Sequence, residues 1–240
     1  MKNVLVATLG AVLFTSTAQA ATLVDSRDDL QTNDSVDWSV LGATFTSVSN
    51  PFSITSSEGV ELDVSIPSKE FLWVDQTPVF PGAFDVGEAL LFTGLGNPGP
   101  LTITFDTPVF GAGTQIQSDP LNIPDYTATI EAFDNFDNSL GSFEIAGVSQ
   151  RDAGSGVPFV GVVDNSGNIR KLVFNTQEQG SNVPFAFNEV SLRTNSEVVP
   201  EPESMLGLLF FGIGVAVFKV KGKQKAQSIK NMDCQRRYLR

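Results

Sequence analysis

An all-β fold, an antiparallel β-sandwich of jelly-roll type, is what this sequence predicts, and three observations predict it. Short segments alternate apolar and polar residues, as in "GVELDVSI" (59–66), where Val60, Leu62, Val64 and Ile66 face away from Glu61, Asp63 and Ser65. A period of two is the mark of a half-buried strand. Clusters of turn residues separate these segments, and no soluble stretch of ten or more residues holds a helical period. Nineteen phenylalanines supply large apolar area for a core between two sheets, and thirteen prolines suit strand ends and edges.

Taken in chain order, the first element is not part of the fold. In "MKNVLVATLGAVLFTSTAQA", Lys2 supplies a positive start, Val4–Phe14 an apolar centre, and Ala18-Gln19-Ala20 a small-residue cleavage site. Residues 1–20 therefore read as a secretory signal peptide, cut between Ala20 and Ala21 after passage through the Sec translocon. Residues 21–196 read as the exported β-domain. It opens with an acidic segment carrying Asp25, Asp28, Asp29, Asp34 and Asp37. This segment fits either a calcium-binding edge or a solvated stretch, and the solvated reading is the favoured one.

The strands follow. "LTITFD" (101–106) places Leu101, Ile103 and Phe105 on one face, and "YTATIEAFD" (126–134) does the same with Tyr126, Ala128, Ile130 and Ala132. "KLVFNT" (171–176) and "FAFNEVSL" (185–192) read as two more. Asp134–Ser139 and Asp164–Asn168 ("DNSGN") carry turn chemistry between strands, and the second is expected to close a hairpin.

Beyond a linker over 197–203, Met205–Phe218 runs fourteen residues without a charge. As a helix that is about 21 Å, short against a bilayer core of about 30 Å. Lys219 can snorkel and let Val220 join, so 204–220 is expected to cross the membrane, with 221–240 as a basic cytoplasmic tail. Lys219, Lys221, Lys223 and Lys225 supply the positive flank that stops transfer.

Charge divides along the same line. Between Ala21 and Ser204 twenty-six acidic residues face six basic ones, a net of −20; from Lys219 onward eight basic residues face Asp233 alone. A domain at −20 repels phosphate backbones, which excludes nucleic acid as a partner and favours cations. There is no histidine, so Ser-His-Asp and Cys-His triads and histidine-held zinc are excluded. The single cysteine, Cys234, lies in the tail, leaving the domain without disulfides.

Pro200-Glu201-Pro202, then an apolar run, then spaced lysines, resembles the PEP-CTERM sorting signal of Gram-negative bacteria, over about residues 199–225. The resemblance implies export and processing near the tripeptide by an exosortase-type membrane protease. Upstream, "NDSVDWSVLG", "PLTITFDTPVFGAGTQIQ" and "YTATIEAFDNFDNSLGSFEIAG" resemble the β-domain found ahead of such tails, over about 33–193. That resemblance implies a fold and carries over no catalytic residues.

Carboxylates are the plentiful reactive groups. Glu131, Asp134 and Glu144 lie on or beside neighbouring strands and are the candidates for a glycosidase pair, which needs two carboxyls about 5–10 Å apart. A solvated strand face is the favoured reading. Asp164, Asn165, Ser166 and Asn168 offer oxygens to a cation but lack the length of an EF-hand loop. Trp38 and Trp73 would serve a carbohydrate-binding module as stacking platforms, against a favoured reading as core. Ser68-Lys69 lacks the spacing of a Ser-Lys dyad. The sequence therefore predicts a non-enzymatic protein, exported to the cell surface or extracellular matrix, first anchored by its C-terminal helix. A module binding extracellular polysaccharide is the first alternative, and a carboxylate-based glycoside hydrolase the second.

Overall fold

The computed structural model describes residues 20–76, 81–119 and 125–195 of the 240-residue chain. Ala18, Pro200, Glu201, Pro202, the apolar run and Lys219, Lys221, Lys223 and Lys225 lie outside the described residues. In chain order the strands are β1 (Thr22–Val24), β2 (Asp34–Val36), β3 (Thr46–Val48), β4 (Phe52–Thr55), β5 (Glu61–Ser65), β6 (Phe71–Asp75), β7 (Ala89–Phe92), β8 (Leu101–Val109) and β9 (Gly111–Ser118). After them come β10 (Asp125–Phe133), β11 (Ser139–Val148), β12 (Phe159–Val163), β13 (Ile169–Glu178), β14 (Ser181–Asn182), β15 (Phe185–Phe187) and β16 (Val190–Arg193). Helix is confined to one turn of α-helix, α1 (Arg27–Leu30), and one of 3-10 helix, Trp38–Leu41, among the described residues.

Two antiparallel sheets result. One has nine strands, in the order β1-β12-β9-β15-β7-β6-β3 with β16 on β9 and β2 on β16. The other has seven, in the order β11-β10-β13-β8-β5-β4 with β14 on β13. Their facing sides close on one core, to which Leu62, Ile103, Phe105, Ile130 and Phe174 come from the seven-stranded sheet, and Leu91, Ile116, Val160, Phe185 and Phe187 from the other. Each such side chain contributes about 1.5–3 kcal/mol by leaving water.

The sheets differ in how many faces they bury, and the sequence patterns follow. On the seven-stranded sheet one face meets the core and the other meets solvent, so β10 alternates buried Tyr126, Ala128, Ile130 and Ala132 with half-exposed Thr127, Thr129 and Glu131. On the nine-stranded sheet all five residues of β12, "FVGVV", are buried. Leu30 of α1 packs with Phe159 and Val163 on that sheet's outer side. Farther along the same side, Val74, Leu90, Phe92 and Ala186 gather with Ala83, Phe84 and Val157. A sheet covered on both faces reads as continuous apolar runs; a half-solvated one alternates.

One predicted strand and one predicted hairpin turn are arranged differently. "FAFNEVSL" is broken at Asn188 into β15 and β16, both of which pair with β9. The Asn188 side chain fills the gap in the ladder: its Oδ1 accepts from the Gln115 amide at 3.0 Å, and its Nδ2 donates to Gln115 Oε1 at 2.7 Å. The segment Asp164–Asn168 does not close a hairpin. It carries the chain from β12 in the nine-stranded sheet to β13 in the seven-stranded one. Turn chemistry sets a reversal locally, but which sheet receives the chain depends on which edge is free to pair.

Candidate functional site

Where β10, β11 and β13 end, beside the approach to β12, an open groove of about 840 Å³ runs along the sandwich rim. Its floor is set by one close approach. Gly147 of β11 stands opposite Tyr126 of β10, and a Cβ on Gly147 would lie 2.2 Å from Tyr126 Cζ. With no side chain there, the tyrosine ring lies under the strand and its hydroxyl donates to the Ile116 carbonyl at 2.6 Å, tying one sheet to the other. Burial pushes the Tyr126 hydroxyl well above the usual tyrosine range, so it stays a neutral donor.

Polar side chains share the walls with Ala146, Val148 and Pro158. Thr127 and Gln177 face each other across β10 and β13. Asp125, Gln150 and Gln179 complete the rim, and all three are exposed. Gly156 and Gly180 also line it. The groove therefore offers amides, a hydroxyl and one carboxylate, with no lysine or arginine among the described residues that line it.

Close to this end lies a polar group that sequence reasoning missed. Ser118 Oγ donates to Glu178 Oε1 at 2.8 Å and is in short contact with the Ser149 hydroxyl. Burial, and next the charge of Glu178, push the Asp119 carboxyl above the usual range, opposed by Arg151. The signal for Glu178 was present: it stands in phase with Leu172, Phe174 and Thr176 of β13, and so points inward with them.

The predicted site residues are placed elsewhere. Trp38 is fully buried in the 3-10 turn rather than on a strand, and its Nε1 donates to the Asn188 carbonyl at 2.7 Å. Trp73 is buried on β6. Neither indole presents a face to solvent: both belong to the core, the favoured reading, and the alternative of sugar platforms falls. Ser68 donates to Asn97 Oδ1 and Lys69 to the Leu95 carbonyl, so the two do not act on each other.

Among the acidic candidates, Glu131 and Glu144 lie on the outer face of the seven-stranded sheet, where Glu131 pairs with Ser142 and Glu144 with Thr129. Asp134 is held in its turn by the Asn138 side chain and by the amides of Phe136 and Asn138, at 2.8–2.9 Å. Its carboxyl lies below the usual range, chiefly through Asn138, which is the opposite of what a general acid needs. Asp164 is buried and accepts from the amides of Ser166 and Asn168 at 2.9 and 3.0 Å, a structural duty rather than an open cation site.

The acidic opening segment is dispersed. Asp25, Asp28, Asp29 and Asp37 are exposed, the last capping the 3-10 turn through the Ser39 amide at 2.9 Å. Asp34 alone is buried. Burial raises its carboxyl, but the hydroxyls of Ser56 and Ser57 and the amides of Glu58 and Ser35 outweigh this and hold it below the usual range. Among the described residues no three acidic, cysteine or histidine side chains gather as a metal site.

These features define an antiparallel β-sandwich with a polar rim groove. No protein-family model and no curated protein matches the chain. Among solved structures, a DUF4465 family protein from Bacteroides caccae is similar, 16% identical, covering 72% of this chain and 100% of its own, with a TM-score of 0.37.

Proposed function

We propose that this is a non-enzymatic protein exported through the Sec translocon, with a sandwich of jelly-roll type, sorted by a PEP-CTERM signal to the cell surface or extracellular matrix. One observation carries the reading: among the described residues, burial and strand pairing begin at the residue that signal cleavage would leave first. Ala20 is exposed, while Ala21 is 6% exposed, its nitrogen donates to the Leu140 carbonyl at 2.9 Å, and Thr22 opens β1 against β12. Cleavage between Ala20 and Ala21 leaves every one of these contacts in place, because the new ammonium is still a donor. The C-terminal order of Pro200-Glu201-Pro202, apolar run and lysines supports membrane anchoring followed by release through an exosortase-type protease. The engagement of Asp134 and Asp164 in turns, and the open setting of Glu131 and Glu144, support a role without catalysis.

Intact-mass measurement of the protein recovered from its native host tests this. The expected mature species begins at Ala21 and lacks the basic tail. Replacing Pro200, Glu201 and Pro202 by alanine should leave precursor in the membrane. A surface species that still carries residues 1–20, or that still ends at Arg240, overturns the corresponding half of the reading.

A further inference from the structure

We infer that the rim groove binds a neutral, hydroxyl-rich polymer, a segment of extracellular polysaccharide. Its size lies within the range of about 300–1,000 Å³ typical of ligand clefts, and it is open to solvent rather than enclosed, which admits a segment of a longer chain. Glutamine amides donate and accept at once, as sugar hydroxyls do, and Gln150, Gln177 and Gln179 set three of them around the groove together with Thr127. Among the described lining residues Asp125 alone is charged, and the surrounding domain carries a net of −20, so uronic-acid and sulfated polymers are repelled. Gly147 makes room for the Tyr126 ring on the inner side of β11, which closes the groove off from the core. The glycan is read by hydrogen bonds, since both tryptophans are spent on the core.

The inference rests on export to place the domain among such polymers, but it is tested separately. The full chain, purified in a detergent without sugar headgroups, is titrated by calorimetry with neutral β-glucan and mannan oligosaccharides and with oligogalacturonate. A neutral oligosaccharide should bind and the uronate should not. Gln150→Ala combined with Gln179→Ala, both at exposed positions, should weaken binding about tenfold or more, since a neutral hydrogen bond is worth roughly a factor of three to ten. Ala146→Leu, which narrows the groove without removing a polar group, should weaken it as well, while Val86→Ser, in an exposed turn, should change nothing. Thermal melts of each variant separate lost binding from lost fold. Binding by neither neutral sugar, preference for the uronate, or full binding by both groove variants overturns the assignment. Export and processing, read by intact mass, stand or fall independently of all three outcomes.

Discussion

Two pentapeptides in this domain, "DNFDN" (134–138) and "DNSGN" (164–168), fold into nearly the same turn and do different work. In each, the leading aspartate accepts from the amides two and four residues on: Asp134 from Phe136 and Asn138, Asp164 from Ser166 and Asn168. In each, its carbonyl accepts from the amide of the fourth residue, and that residue has a positive φ, 61° at Asp137 and 67° at Gly167. The first turn joins β10 to β11 within one sheet and points its Phe136 into solvent, 81% exposed. The second crosses between sheets. Asp164 is 1% exposed and its amide donates to the Phe110 carbonyl. Phe110 is itself the single residue between β8 and β9, the other crossing at this corner. Local sequence sets the turn; its surroundings set what the turn is worth.

The fourth position should break the comparison most sharply. A Cβ on Gly167 would lie 2.6 Å from Phe110 Cζ, so Gly167→Asp, which copies the other turn, pushes the half-buried Phe110 ring out of its place at the corner. Overpacking of this kind costs about 1–3 kcal/mol, and strain at positive φ adds about 1–2 kcal/mol more. At about 2–4 °C per kcal/mol, a thermal melt reads this directly. The converse, Asp137→Gly, gains backbone freedom and gives up the ion pair with Lys171 at 2.5 Å, an exposed contact worth about 0–1 kcal/mol. Its melting temperature should hardly move. Equal losses in the two variants would mean the corner is not packed as described.

Next in size is the leading aspartate. Asp164→Ala removes a buried carboxylate that holds the amides of Ser166 and Asn168, at about 1–3 kcal/mol for a group left unsatisfied beneath the corner. Asp134→Ala exposes the same two amides to water, so its loss should be clearly smaller. If the two variants melt together, burial does not decide the value of this turn.

A smaller effect separates carboxylates by pH. Asp134 is depressed in the folded state, so its stabilisation is present above its unfolded value and fades as pH falls through the folded one; Asp134→Asn should flatten the acid side of the stability profile. Asp119 is raised, so protons favour the folded state there and stability falls as pH rises through its folded value. Asp119→Asn should therefore raise the melting temperature at neutral pH relative to acid. A change of the opposite sign would mean that burial and the Glu178 charge do not raise this carboxyl. The smallest effect belongs to Phe136→Ser, where stability should be unaltered because the ring packs on nothing that folding buries.

Much of this was legible beforehand. The alternation in "LTITFD" and "YTATIEAFD" was read correctly because those strands have one wet face, which a period of two reports directly. "DNSGN" was read as a turn for the right local reason and assigned the wrong partners. Trp38 and Trp73 were correctly favoured as core, although Trp38 lies on a 3-10 turn that its sequence does not announce. The groove was not foreseen at all: Gln150, Gln177 and Gln179 are common surface residues whose spacing carries no period, and only the meeting of three strand ends brings them together.

By itself the sequence determined the all-β class, the wet faces of the seven-stranded sheet and the chemistry of both turns, because each depends on residues within a few positions of one another. It also determined the two charge compartments, which are sums over composition. Only the tertiary structure decided which sheet each strand joins, that Asn188 splits one apparent strand in two, that Asp34 is buried and saturated while its neighbours are not, and that a groove exists. Those facts depend on contacts between residues far apart in the chain, such as Gly147 with Tyr126 or Asn188 with Gln115, and a pairing at long range leaves no local pattern to read.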